Sequence, residues 1–284
     1  MRESFDNPDA HDVEEPLVSE GVTPGIVRVG DTVRRPVRPF TATVQEFLSA
    51  LHARGFHDAP EPLGYDDQGR EVLTFVAGDV PREPIPKEYL GTDVLSSLAD
   101  LIRRQHVASS TWKPPDDAVW GSLPGDDAPG VLPLFDEPEL VAHMDYCPGN
   151  VVFRGGLPAA LIDFDLARPT TRLLDVVNAL YWWVPLLHPV DRPPALAHSD
   201  MVDIAERVAV FADSYGLDGV GREQLMPLAL RRVRNGLLKS RRAAEVSPAF
   251  RRMWDNGVRE RMPRAQEWTA EAVEPITRRL VRDQ

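Results

Sequence analysis

The rhythm of hydrophobic and polar positions changes twice along the chain. Ile26-Val27-Arg28-Val29 and Thr32-Val33-Arg34-Arg35 are β-rich runs flanking Gly30-Asp31, which predicts a hairpin; Pro36 then stops the second strand. Val44, Phe47, Leu48 and Leu51 recur at helical spacing, predicting a helix capped by Thr41 or Thr43 and ended by Gly55. Leu63-Gly64-Tyr65, a turn from Asp66 to Gly69, and a strand from Glu71 to Val76 predict a second hairpin. Beyond Gly78 the pattern becomes helical. Val94, Leu98, Leu101 and Ile102 mark one helix, and most of the chain from Val202 reads as helix, with strong runs near 202–214 and 223–240. An α+β fold of two lobes follows, a small β-rich N-terminal lobe (1–78, with 1–15 a mobile acidic lead-in) and a larger, mainly α-helical C-terminal lobe (79–284). Such a layout leaves a cleft where the lobes meet.

The helical pattern is broken once. Leu140-Val141-Ala142-His143-Met144-Asp145 runs into Tyr146-Cys147-Pro148-Gly149-Asn150, then Val151-Val152-Phe153, a Gly155-Gly156 turn, and Ala159-Ala160-Leu161-Ile162-Asp163. This predicts two short apolar strands joined through glycines, with polar residues at their ends, where catalytic groups collect. His143-x-Asp145-x-x-x-x-Asn150 has the spacing of a kinase catalytic loop, and Asp163 follows the second apolar strand, where a kinase places a metal-binding aspartate. Transfer of a phosphoryl group from a nucleotide needs magnesium on hard oxygen ligands and a carboxylate that orients the acceptor hydroxyl, little more. Each residue also has a structural use. Asp145 and Asn150 can close a turn around Pro148-Gly149, Asp163 can end a hairpin, and Asp165 can cap.

The segments from His143 to Phe153 and from Leu161 to Ala167 resemble the paired signatures of the aminoglycoside-phosphotransferase and choline-kinase superfamily, which has a protein-kinase-like fold. The specific motifs occupy roughly residues 143–175. The resemblance implies that Asp145 is the catalytic base or hydroxyl-orienting group and that Asn150 and Asp163 are Mg2+ ligands, with Asp165 a second acid near the metal. It makes His143 a structural support of the loop. Asp175 resembles the buried aspartate that braces this loop, though it equally suits a helix N-cap. ATP or GTP would be the phosphoryl donor.

The N-terminal lobe departs from the kinase pattern. There is no GxGxxG loop, and Gly21-Val22-Thr23-Pro24-Gly25 is a short substitute. Where a phosphate-binding lysine is expected stands Val33-Arg34-Arg35-Pro36, so Arg34 or Arg35 is the candidate cation. Glu46 is the acid on the first helix available to pair with it, although Thr43-x-x-Glu46 also fits a capping box. Thr74, Phe75 and Val76 resemble the segment whose backbone binds the nucleobase.

Only eleven residues separate Asp163 from Asp175, too few for the segment on which protein kinases dock a polypeptide, so the acceptor is a small hydroxylated molecule. The net charge of −12 excludes nucleic acid and anionic membranes as partners and leans towards a cationic acceptor, for which Glu137, Glu139, Asp165 and the acids after Asp213 are candidate contacts. No apolar run is long enough to span a bilayer, and the acidic N-terminus is unlike a secretion signal. The single cysteine, Cys147, fits a reducing compartment, so a cytoplasmic location is expected. The rival function is a kinase-fold module that binds nucleotide or a partner without transferring phosphate.

Overall fold

The computed structural model describes residues 13–17 and 25–282. The acidic lead-in up to residue 12, and Gly21 to Pro24 of the substitute phosphate-covering turn, lie outside the described residues. One antiparallel sheet contains β1 (Glu15–Pro16), β2 (Val27–Val29), β3 (Thr32–Arg35), β4 (Pro62–Tyr65) and β5 (Glu71–Thr74) in the order β1-β2-β3-β5-β4. Both foreseen hairpins form, and Gly30 (φ 56°) and Gly69 (φ 74°) supply the left-handed turn positions that other residues adopt at a cost. The register sets Arg35 opposite Glu71 and Arg34 opposite Val72, so the two arginines leave β3 on opposite faces.

Helix α1 (Thr41–Ala53) buries Val44, Phe47, Leu48 and Leu51, the residues its periodicity nominated. Its start differs from expectation. Phe40 occupies the N-cap position without a side-chain bond, Thr41 Oγ1 accepts the Arg38 amide at 2.9 Å, and Thr43 Oγ1 accepts the Val119 amide at 3.0 Å. No capping box joins Thr43 to Glu46, because tertiary structure claims the threonine hydroxyl.

The C-terminal part is organised around α2 (Thr92–Ser109). Leu95, Leu98, Leu101 and Ile102 lose all solvent contact, which stabilises the fold by roughly 2 kcal/mol each. Two small antiparallel pairs follow, β7 (Val151–Arg154) with β8 (Leu157–Leu161), and β6 (Leu140–Ala142) with β9 (Arg168–Thr170). Around them stand α3 (Arg172–Trp183), α4 (Met201–Tyr215), α5 (Gly219–Val246), α6 (Pro248–Met253) and α7 (Arg259–Val281). Helix α2 packs on α4, β6 and β8, while α5 and α7 pack along each other. Among the described residues no helix is long and apolar enough to cross a membrane.

One apolar core runs from α1 and β5 through the β7–β8 hairpin into α2, α3, α4 and α7. The chain between the sheet and α2 is fastened to that hairpin, because Asp79 and Phe153 exchange backbone hydrogen bonds of 2.9 and 2.7 Å. Gly78 allows the approach. A Cβ there would stand 2.5 Å from the Phe153 carbonyl oxygen, and its φ of +149° is one that other residues rarely adopt.

Candidate active site

The loop between β6 and β7 carries Asp145, and its shape depends on a buried carboxylate. Met144 sits at φ 68°, a left-handed conformation that costs a non-glycine residue about 1–2 kcal/mol. Asp175, in the first turn of α3 and fully buried, holds it there: Oδ1 accepts the Met144 amide at 2.9 Å, while Oδ2 accepts the Tyr146 hydroxyl and His106 Nε2 at 2.8 Å. His106 Nδ1 in turn lies 2.6 Å from the Tyr215 hydroxyl. Three donors thus replace the water that the carboxylate lost on burial. The N-cap of α3 is Thr171, whose hydroxyl accepts the Leu174 amide at 3.3 Å, so Asp175 is left to brace the loop. Burial and the adjoining Asp175 push the Tyr146 phenol well above its ordinary range, which keeps it a donor. Trp183 adds an indole hydrogen bond of 2.8 Å to the Tyr146 carbonyl.

His143 is also fully buried, stacked on Tyr146 and packed on Phe164. Burial lowers its pKa, and the neutral ring donates from Nε2 to the Ile162 carbonyl at 2.9 Å while Nδ1 accepts the Asp145 amide at 3.2 Å. The Ile162 amide is tied as well, to the Asn150 carbonyl at 2.9 Å. Both polar groups of the residue before Asp163 are therefore stitched to the Asp145 loop. Asp145 Oδ1 accepts the Cys147 amide at 3.3 Å and Oδ2 accepts Asn150 Nδ2 at 3.0 Å. The same Asn150 nitrogen reaches the Asp145 carbonyl at 3.1 Å, and the Asn150 amide oxygen takes no hydrogen bond from the described residues. Burial, then the Asp145 and Asp163 carboxylates, push the Cys147 thiol up, so it is no nucleophile.

Asp163 (φ 62°) is the second left-handed residue, and its carboxylate is 49% exposed. Facing it from β3 is Arg35, whose side chain is 8% exposed; it forms a 2.7 Å ion pair with Glu71, a 3.5 Å contact with Asp163 Oδ1, and a close pair with Asp165. Burial alone would lower the Arg35 guanidinium, but Asp165, Glu71 and Asp163 together hold it above its ordinary value. Burial and the carboxylates of Asp165 and Asp145 push Asp163 up to about 6 against the pull of Arg35. Glu71 is raised by burial and steadied by Arg35 and by Gln45, whose Nε2 lies 3.4 Å from Glu71 Oε1. Gly121 presses on this corner, where a Cβ would fall 1.9 Å from the Asp165 carbonyl oxygen.

The structure brings Arg35 into the site and turns Arg34 away to Asp66, 3.6 Å distant. Glu46 is exposed on α1; the carboxylate paired with Arg35 is Glu71, its cross-strand neighbour. Asp165, expected at the metal, is engaged by Arg35 instead. The amides of Thr74 and Phe75 are committed to Glu61 and Asp31, so Val76 has the amide of that segment not bonded within the described residues. Sequence reading missed Glu71, Gln45, His106, Tyr146 and Tyr215; for Glu71 alone a signal existed, the hairpin register that places it across from Arg35. Among the described residues no three His, Cys, Asp or Glu side chains gather closely enough to hold a metal by themselves. The oxygens that would hold a metal here are the Asn150 amide oxygen and the Asp163 carboxylate, hard donors. That set fits magnesium.

Comparison with known proteins gives a family signature and a shared fold. Residues 97–207 match the family described as "Phosphotransferase enzyme family". The fold is that of a choline/ethanolamine kinase family protein from Mesorhizobium loti (TM-score 0.56, 13% identity, 96% of this chain and 94% of that one). It is also that of a microcompartment-associated aminopropanol kinase (TM-score 0.55, 16% identity, 96% and 94%). An aminoglycoside phosphotransferase solved with GDP and kanamycin aligns at TM-score 0.50 with 16% identity over 96% and 95%. In sequence, the trifolitoxin immunity protein of Rhizobium leguminosarum bv. trifolii is 29% identical over 206 residues, 72% of this chain and 75% of that protein. The resemblance drawn from residues 143–175 is thus matched by a phosphotransferase family signature over residues 97–207 and by the fold shared with choline/ethanolamine kinase and aminoglycoside phosphotransferase structures.

Proposed function

We propose that this protein is a small-molecule kinase that transfers the γ-phosphoryl group of Mg-ATP or Mg-GTP to a hydroxyl of an antibiotic-like or other small hydroxylated metabolite. The observation that carries the reading is the meeting of Arg35, from the N-terminal sheet, with Asp163 at the end of the hairpin that begins at the Asp145–Asn150 loop. Cation, metal-ligand candidates and base candidate come from distant parts of the sequence to one corner of the lobe junction.

Asn150 Oδ1 and the Asp163 carboxylate would hold Mg2+, which when bound neutralises the charge of the triphosphate. Asp145 orients the acceptor hydroxyl. As its oxygen forms the new bond to the γ-phosphorus, the bond from that phosphorus to the β–γ bridging oxygen breaks, the hydroxyl proton passes to Asp145, and the nucleoside diphosphate leaves. Arg35 offers the positive charge for the phosphates that a lysine supplies elsewhere, and Glu71 and Gln45 fix its angle. Val76 has the amide available to a base edge. The relative named for trifolitoxin immunity supports a protective role, in which phosphorylation would disarm a toxic compound.

Release of ADP or GDP, followed with magnesium against a panel of aminoglycosides, other antibiotics, amino alcohols and sugars, tests the reading. Acceptor-dependent release that vanishes with chelator is expected. Magnesium-dependent nucleotide binding with no release against any acceptor would leave only the binding-module function standing.

A further inference from the structure

Arg232, on α5, is a partly buried cation with no carboxylate paired to it among the described residues. Its Nε donates to Asn178 Oδ1 at 2.5 Å, and its guanidinium carbon lies 4.5 Å from the centre of the Tyr181 ring. Asn178 Nδ2 in turn contacts Met144 Sδ at 3.6 Å, so the arginine is tied to the residue preceding Asp145. Burial lowers the guanidinium pKa, opposed by Tyr181 and by Asp145, which is near enough to act on it. Among the described residues no carboxylate pairs with Arg232, and Nη1 and Nη2 have no hydrogen-bond acceptor.

Its neighbours in the helical lobe behave differently. Arg168, Arg172, Arg222 and Arg264 each pair with a carboxylate, and the buried Arg192 and Arg207 turn their terminal nitrogens to backbone carbonyls. Arg232 is partly buried, its terminal nitrogens are open to a ligand, and carboxylate and phosphate oxygens match that fork. Two of the acids nominated for a cationic acceptor are meanwhile occupied, Glu139 by Arg172 and Asp165 by Arg35. Arg232 thus brings a positive charge to the helical side of Asp145, in a chain of net charge −12.

We propose that Arg232 recognises the acceptor, and that this acceptor carries an anionic oxygen group, carboxylate or phosphate, beside the hydroxyl that Asp145 orients. The proposal rests on the kinase reading, and it names the substrate class that a net charge of −12 would have hidden.

Calorimetric titration of the full chain with Mg2+ and a non-hydrolysable ATP analogue, followed by matched probes, separates the two claims. The probes are glycerate, glycerol 3-phosphate, glycerol and 3-amino-1,2-propanediol, then glucuronate, glucose and glucosamine. The anion of at least one set is expected to bind about tenfold or more tightly than its amine counterpart. Arg232→Gln should erase that preference and Arg232→Glu should reverse it, with the Mg-nucleotide isotherm unchanged. Glycerate against glycerol 3-phosphate decides between carboxylate and phosphate. Should the variants misfold, the wild-type order of probes still decides. Amines binding as well as anions, no anion binding at all, or a preference indifferent to Arg232 would overturn this inference alone, whereas loss of the Mg-nucleotide isotherm would overturn the kinase reading beneath it.

Discussion

The two halves of the candidate site are built by different physics. The Asp145 loop is held by fully buried, hydrogen-bonded groups: Asp175 with its three donors, and His143 spanning Asp145 and Ile162. The Arg35 corner is held by ion pairs, to Glu71, Asp163 and Asp165, where Asp163 is half exposed. The first arrangement fixes one geometry, because its buried donors and acceptors are matched to one another. The second can exchange partners, because a phosphate can take the place of an aspartate on Arg35 at little net cost in charge pairing. On the proposed function this suits a base that must be placed and a phosphate clamp that must let go.

Substitutions can break or sharpen this contrast. The largest effect is expected from Asp145→Asn, with turnover falling ~10²–10⁴-fold while calorimetric Mg-nucleotide binding stays within a factor of about two; unchanged turnover would remove Asp145 from the chemistry. Next comes Asp175→Ala, which orphans Met144 N, the Tyr146 hydroxyl and His106 Nε2 and should cost about 3–5 kcal/mol in urea unfolding. A loss below about 1 kcal/mol would show that the loop does not depend on its brace.

A smaller effect lies in pH. With Asp163 raised from 3.8 to about 6, the folded chain binds a proton in that interval that the unfolded chain releases. Its stabilising contribution is complete below 3.8 and lost as pH rises through about 6. Because the carboxylate is half exposed, solvent screening limits this to about 1 kcal/mol. Thermal unfolding without metal at pH 5 and pH 7.5 should show the difference in the wild type and not in Asp163→Asn; identical slopes would refute the shift. Least of all, Glu46→Ala should change stability and nucleotide affinity by less than about 0.5 kcal/mol, since the side chain is exposed. A larger loss of nucleotide affinity would reinstate it as a partner of Arg35.

Local signals were legible in the sequence and long-range ones were not. The hairpins around Gly30 and Gly69, the periodic face of α1, and the Asp145–Asn150–Asp163 spacing each depend on residues close in the chain, so pattern alone located them. The pairing of β6 with β9, the threonines diverted from capping α1, and the approach of His106 to Asp175 depend on how distant elements pack, which no window of sequence contains. Arg35 lay between these cases. Its candidacy could be read, but its partner required the register of β3 on β5, and helical propensity drew attention to Glu46 instead. Arg232 gave no signal, being one basic residue among many on α5 until α3 was folded against it.

The fastening of Asp79 to Phe153 has a mechanical consequence. Two backbone bonds there, with a third from the Leu161 amide to the Asp58 carbonyl at 2.9 Å, tie both strands of the β7–β8 hairpin to segments that precede α2. If those segments part from the hairpin, the Phe153 and Leu161 amides should lose their protection from hydrogen exchange together.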